Sequence, residues 1–277
     1  MPRHGPQKNV YEKSSRDIER APTENIIYGL NAVLEAVRAG KRSIDSITIL
    51  EGARPERLKV LIELARQKRI PVHRVPKLDV GSDARHQGVV ARVAAARYSD
   101  ADELLEALEG RMESTDPPLA LCLDGIEDPR NLGSILRTAE CAGVHGVFVP
   151  ERRATGLTEV VAKVAAGALE YVPVARIVNL VRLIEQMKAR NIWVVGAAGD
   201  AKQLYTEWDW KLPSAIILGN EGHGLHRLVR ENCDTLVHIP VMGNLDSLNV
   251  SVAAGVILYE ARRQRSADQQ SLRRGDK

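Results

Sequence analysis

Three short stretches hold the residue types that could do chemistry. Residues 219–224 read Gly-Asn-Glu-Gly-His-Gly and residues 247–249 read Ser-Leu-Asn. Residues 124–133, Asp-Gly-Ile-Glu-Asp-Pro-Arg-Asn-Leu-Gly, run on to Arg137. Each stretch comes after an apolar run that reads as a buried strand, at 214–218, 235–239 and 119–123. Glycine lets backbone approach a ligand with no Cβ in the way, and ligands bind at the carboxyl ends of strands in open α/β sheets. Asn131, Arg137, Glu221, Ser247 and Asn249 would bring amides, a guanidinium, a carboxylate and a hydroxyl to such a site. Together they could orient a polar ligand and stabilise developing negative charge.

Several familiar chemistries fail on spacing. No Gly-x-Gly-x-x-Gly follows the first strand of this region, and the late Gly-x-x-Gly-x-Gly has no acidic residue placed to hold a ribose. No phosphate-binding Gly-x-x-x-x-Gly-Lys-Ser/Thr occurs, and no serine or cysteine sits in a nucleophile elbow. His223, His226, Cys233 and His238 are close in sequence, but loop, helix and strand would aim them apart, so no metal is expected.

The elements that must position these corners follow from periodicity. From 119 onward strands are expected at 119–123, 146–149, 171–174, 192–197, 214–218 and 235–239. Helices are expected between them at 132–142, 158–168, 178–190 and 225–231, with a last one from 250 to about 264. Such alternation means a mainly parallel sheet covered on both faces. Asn131 and Arg137 are about 600° of helical turn apart and cannot share a helix face, which puts Asn131 in the turn or at the N-cap. Upstream, residues 26–39 have helical spacing that ends at Gly40, and Pro55 opens a second helix through Arg69. Residues 44–50, 70–75 and 88–93 resemble strands, so this unit is expected to be a small α/β/α sandwich. The expected organisation is a mobile tail at 1–24, an N-terminal domain at 25–97, an acidic linker at 98–116 holding one helix at 101–108, a main domain at 117–264 and a C-terminal tail at 265–277.

Composition narrows the setting. The 277 residues are 44% apolar, no apolar run approaches a membrane span, and the N-terminus has no apolar signal core. Three scattered cysteines, Cys122, Cys141 and Cys233, fit packing thiols of a reduced cytoplasmic protein. The formal net charge is only +3, but residues 25–97 hold 14 Lys and Arg against 7 Asp and Glu. That is the charge footprint of a surface meeting nucleic-acid phosphates, although a solvated helix face looks similar.

The three corners resemble the motifs of the SpoU family of RNA ribose 2′-O-methyltransferases, in the larger SPOUT group. The matching residues are 131–137 (Asn-Leu-Gly-Ser-Ile-Leu-Arg), 217–225, 239–242 and 247–251 (Ser-Leu-Asn-Val-Ser). Residues 28–33 and 86–89 resemble the family's N-terminal substrate-binding domain, which is of ribosomal-protein type. The resemblance implies an α/β SPOUT domain with a deep trefoil knot, a homodimer with its active site completed across the interface, and S-adenosylmethionine as methyl donor. It places Leu218, Gly219, Asn220, Ile239, Met242 and Leu248 around that donor, largely through backbone groups. The family form most like this chain methylates a guanosine ribose in the peptidyl-transferase P loop of 23S rRNA.

Methyl transfer to a ribose hydroxyl needs alignment with the donor and stabilisation of alkoxide character. Arg137 cannot serve as a base because guanidinium stays protonated, so electrostatic stabilisation and phosphate anchoring are expected of it. Glu221 would orient Arg137 or Asn131. The plainer alternatives are that Asn249 only caps a helix, Glu221 is a surface acid and Arg137 pairs with Glu140. Arg38, Lys41, Arg42, Arg66, Lys68 and Arg69 are the expected RNA-phosphate contacts, with neither DNA nor membrane as partner. The same fold acting on tRNA or another rRNA loop, and a non-catalytic RNA-binding or ribosome-assembly protein, remain the competing readings.

Overall fold

The computed structural model describes residues 26–53, 55–78 and 86–275; the tail expected at 1–24 lies outside them. The first unit is a four-stranded sheet of β1 (Ile26–Tyr28), β2 (Ile44–Leu50), β3 (Val72–Val75) and β4 (Val89–Val93), in the order β1-β4-β2-β3. Helices α1 (Leu30–Ala39) and α2 (Pro55–Gln67) pack against each other and against one face of it. Gly40 ends α1 in the left-handed conformation (φ 63°), as its position predicts.

Two expectations for this unit are corrected. Residues 26–28 are a strand rather than helix, because Ile27 turns into the core while Tyr28 pairs with Val90 across the sheet. Among the described residues the unit also has two layers rather than three. Ile47, Ile49, Val89 and Ala91 face the helices, while Ser46, Thr48 and Arg92 alternate to the opposite face, where neither α1 nor α2 packs.

The second sheet has seven parallel strands in the order β7-β6-β5-β10-β8-β11-β9. They are β5 (Leu119–Asp124), β6 (Gly146–Pro150), β7 (Val174–Ile177), β8 (Trp193–Ala197), β9 (Gln203–Leu204), β10 (Ser214–Gly219) and β11 (Thr235–His238). Alternate residues of β5 serve the two faces. Leu119, Leu121 and Leu123 pack under α4 (Pro129–Cys141), α5 (Glu159–Ala165) and α8 (Val250–Gly275). Ala120 and Cys122 pack under α3 (Ala101–Glu109), α6 (Leu180–Ala189) and α7 (Arg227–Asn232). Burial in this second layer pushes the Cys233 thiol up to about 12.

The helix expected at 101–108 within the acidic stretch is α3, and it packs into the core of the larger unit. Asp100 caps it by accepting from the Asp102 and Glu103 amides, and Leu104, Leu105 and Leu108 are buried in the core. Leu104 fills the space a Cβ on Gly146 would take, which docks α3 at the start of β6. The strand expected at 171–174 begins only at Val174, because residues 168–170 form a tight turn.

The tail expected at 265–277 is also corrected, since α8 continues to Gly275. Arg262 and Arg265 both reach the Asp116 carboxylate, and Arg265 donates to the carbonyls of Trp210, Pro118 and Leu212 at 2.8–3.2 Å. Burial opposes ionisation of Asp116, but its bonds to His145 and Arg262 outweigh that and hold its carboxyl far below the usual range.

The two sheets meet through α1. The Arg42 guanidinium bonds the Glu170 carboxylate, whose side chain is 1% exposed. Tyr171 donates its hydroxyl to Glu35 at 2.6 Å, a bond that pushes its phenol up to about 12. The Lys163 ammonium lies 4.7 Å from the Tyr28 ring centroid.

Candidate active site

The three corners meet at the carboxyl ends of β5, β10 and β11. Gly219 closes β10, and a Cβ there would stand 2.2 Å from the Gly224 carbonyl carbon. Only glycine lets the loop fold back so tightly. The loop is then pinned at both ends. Asn220 exchanges backbone hydrogen bonds with Gly224, and its side-chain amide donates to the Gly125 carbonyl (2.9 Å). The buried Asp124 carboxylate accepts from the His226 amide (2.7 Å) and lies 2.9 Å from its imidazole Nδ1.

That anchoring sets Glu221 against two amides. Asn131 Nδ2 donates to Glu221 Oε1 at 2.9 Å, Asn249 Nδ2 donates to the same oxygen at 2.6 Å, and the Val250 amide donates at 3.4 Å. Asn249 Nδ2 also donates to Asn131 Oδ1 (3.1 Å). Asn249 Oδ1 accepts from the Ser251 amide at 3.0 Å, so one side chain caps α8 and joins the cluster. Asn249 therefore caps the helix, as the plainer reading expected, and the same side chain also bonds Asn131 and Glu221. Asp128, not Asn131, caps α4; with Pro129 opening the helix, Asn131 lies in its first turn.

The structure does not bring every candidate into this cluster. Arg137 is exposed on α4 and makes no hydrogen bond or ion pair with any described residue, Glu140 included. Ser247 lines the cleft without a described hydrogen-bond partner. Leu218, Gly219, Asn220, Ile239 and Leu248 line the same cleft, with Val237 and Ala253 among its apolar walls. Met242 does not; it is 95% exposed and outside the lining. Residues 197–199, the last of β8 and the two that follow, form a wall that sequence reasoning missed, as it missed Asp124 and His226. Their signal was only position, at or just past a strand end. Asp246 is the second carboxylate on the cleft.

Of the expected RNA contacts, Arg42 is corrected, because its guanidinium is spent on Glu170 between the two sheets. Arg38 pairs with Glu35 and Arg66 with Glu63, both at the surface, and Lys68 donates to the Arg38 carbonyl at 3.1 Å. Lys41 and Arg69 are exposed. Among the described residues, no group of three or more His, Cys, Asp or Glu could hold a metal. No described helix is long and apolar enough to cross a membrane.

Comparison with known proteins adds to this geometry. Residues 118–259 match the SpoU rRNA Methylase family, and residues 26–99 match the RNA 2′-O ribose methyltransferase substrate binding family. The chain is 45% identical over 242 residues to a protein of Bacillus subtilis named putative TrmH family tRNA/rRNA methyltransferase YacO, covering 87% of this chain and 96% of that one. It is 44% identical over 245 residues to the 23S rRNA (guanosine-2′-O-)-methyltransferase RlmB of Ralstonia nicotianae, with the same two coverages. The SpoU methyltransferase AviRb of Streptomyces viridochromogenes, solved in complex with AdoMet, superposes with a TM-score of 0.69 at 26% identity. It covers 87% of this chain and 90% of AviRb.

Proposed function

The chain belongs to the SpoU rRNA methylase family, and from that premise we propose that it transfers a methyl group from S-adenosylmethionine to the 2′-hydroxyl of a guanosine in the P loop of 23S rRNA. The observation that carries this reading is the single Glu221 oxygen holding both Asn131 and Asn249 at the rim of a glycine-built cleft. The cleft chemistry suits the donor. Leu218, Val237, Ile239 and Leu248 offer apolar surface for an adenine, and Glu221 and Asp246 put carboxylates where a cationic molecule would lie. S-adenosylmethionine would supply an electrophilic methyl on a positively charged sulfur.

The protein's own task is then alignment. Glu221 is a positioning residue that fixes the two amides, leaving Asn131 able to orient the ribose. Ser247 and Asn249 hold the donor side of the cleft beside Gly219, Asn220 and Leu248. Arg137 stabilises the developing oxyanion and anchors its phosphate, with the proton passing to phosphate or water.

Arg137 needs a second subunit to complete this site, and the outer face of α8 supports a homodimer. Val252 and Tyr259, two turns apart, are 51% and 54% exposed, and Val256 lies between them on the same stripe. Gly255 of α8 lies against Thr138, so that stripe adjoins the part of α4 that carries Arg137. The knotted path implied by the motifs belongs to the same reading, with the 239–250 segment running beside the 219–225 loop. So do an RNA-gathering domain at 25–97, a methyltransferase domain at 117–264 and a cytoplasmic setting, which suits the free thiols of Cys122, Cys141 and Cys233.

The test is methyl transfer to protein-free 23S rRNA, 16S rRNA and tRNA from a strain lacking the native activity, with mapping by nucleoside mass spectrometry. A single 2′-O-methylguanosine in the 23S P loop is expected. Methylated tRNA would overturn the substrate and keep the chemistry; a protein that does not bind S-adenosylmethionine would overturn both.

A further inference from the structure

We propose that the loop 151–158, between β6 and α5, is a second RNA-binding element, with Arg152 and Arg153 holding phosphodiesters that flank the reacting ribose. The proposal rests on the RNA methyltransferase reading and adds a site outside the N-terminal unit. Its first support is position. The loop leaves β6 at the carboxyl edge of the sheet, beside β5, on the same edge as the cleft. The Thr155 amide donates to the Ile126 carbonyl at 3.0 Å, and the Arg153 carbonyl lies 3.8 Å from where a Cβ on Gly125 would stand. Gly125 is also the residue whose carbonyl anchors Asn220, so this loop and the cleft loop hold the same corner.

The far end of the loop points to the other unit. The Leu157 amide donates to the Tyr98 hydroxyl at 2.9 Å, and the Arg176 guanidinium stacks 4.3 Å from the Tyr98 ring centroid. Tyr98 lies in the segment that leaves β4 for the larger sheet. RNA held by the first unit and entering the cleft would follow this loop.

The side chains themselves carry the ligand class. Arg152 and Arg153 are exposed and make no hydrogen bond or ion pair with any described residue. Several other guanidiniums are committed to acids, as in Arg42, Arg227, Arg230 and Arg262, whereas Arg152 and Arg153, like Arg137, are not. Glu127 and Glu151 share the edge, so the signal is two free planar forks and not net charge. Such forks match phosphate geometry. Arg153 also sits at φ 55°, a conformation that favours glycine.

The strain supplies the test. Arg153→Gly relaxes the backbone while removing the guanidinium, and Arg152→Gln removes the second charge. Full-length variants are titrated with protein-free 23S rRNA over a range of salt, beside melting temperature and S-adenosylmethionine affinity. Arg153→Gly is expected to melt at or above the wild-type temperature yet bind RNA about 3- to 10-fold more weakly. The double variant should lose about 1.5 from the slope of log affinity against log salt, for two phosphates, with donor affinity unchanged. Wild-type RNA affinity and slope in the double variant would overturn the proposal and leave the methyltransferase reading standing. Absence of turnover in the wild-type protein would strike that reading instead, since RNA binding is read separately. A wild-type chain that does not hold RNA at all would overturn both.

Discussion

Replacing Glu221 with alanine separates positioning from folding. In the native site Glu221 Oε1 accepts from Asn131, Asn249 and the Val250 amide at 2.9, 2.6 and 3.4 Å. Hydrogen bonds to charged groups contribute about 1.5–3 kcal/mol each when shielded, but Glu221 is exposed and water replaces much of what is lost. A stability loss of about 1 kcal/mol follows, or about 2–4 °C in melting temperature for a chain of this size. Turnover should suffer more. Both amides lose their common anchor, and a displacement of about 1 Å in a reacting group costs on the order of 100-fold in rate. Single-turnover methyl transfer at saturating donor and RNA would read this directly, with calorimetry reporting the fold. Asn131→Ala and the Glu221→Ala/Asn131→Ala double variant complete a cycle, and the double should be little slower than either single. Turnover within threefold of wild type in Glu221→Ala, or fully additive losses in the cycle, would refute the argument that one oxygen aligns both amides.

Other perturbations follow from the same contacts. Glu170→Ala strands the Arg42 guanidinium between the sheets and should cost about 3–5 kcal/mol in urea unfolding, with most of it recovered in Arg42→Met/Glu170→Leu. Asp116 has a folded-state pKa below its unfolded value, so its contribution is complete above about pH 4 and is lost as pH falls further. Urea midpoints of wild type and Asp116→Asn should therefore differ at pH 6 and converge toward pH 2; a constant gap would count against the clamp. Reversing Arg66, Lys68 and Arg69 to Glu should weaken RNA binding and lower its salt slope by about 2 to 3, with donor affinity intact. An unchanged RNA affinity there would sink the claim for the first unit.

Strong periodicity made most of the second sheet legible. β5, β6, β8, β10 and β11 are apolar runs bounded by polar or glycine turns, and each lies where its run predicts. What failed had a weaker or competing signal. The helix at 101–108 was legible from its spacing, but seven acids drew residues 98–116 toward a linker and hid that Leu104, Leu105 and Leu108 are buried in the core. β9 is two residues long and has no period to read. Residues 26–28 continued the spacing of α1, and only pairing with β4 makes them a strand. The residue types of the site were legible, because glycine and small polar residues past strand ends are a local signal. Its geometry was not: the contacts of Glu221 with Asn131 and Asn249 span 90 and 28 residues. Arg42 could not have been removed from the phosphate set either, because its partner lies 128 residues away.

The strand order also bears on synthesis at the ribosome. β10 lies between β5 and β8, so the strand that joins the two halves of the sheet is translated long after its neighbour β5. About 90 residues separate them, which at 5–20 residues per second leaves β5 waiting roughly 5–20 s for its partner. During that interval the nascent chain holds an apolar strand, Leu119–Asp124, with one unsatisfied edge, the kind of edge that recruits other chains. The N-terminal unit has all four of its strands by Val93 and can fold well before then. The larger sheet therefore matures from its β5–β7 side, and the corners at 124–133, 219–224 and 247–249 can come together only once the chain has been made as far as Asn249.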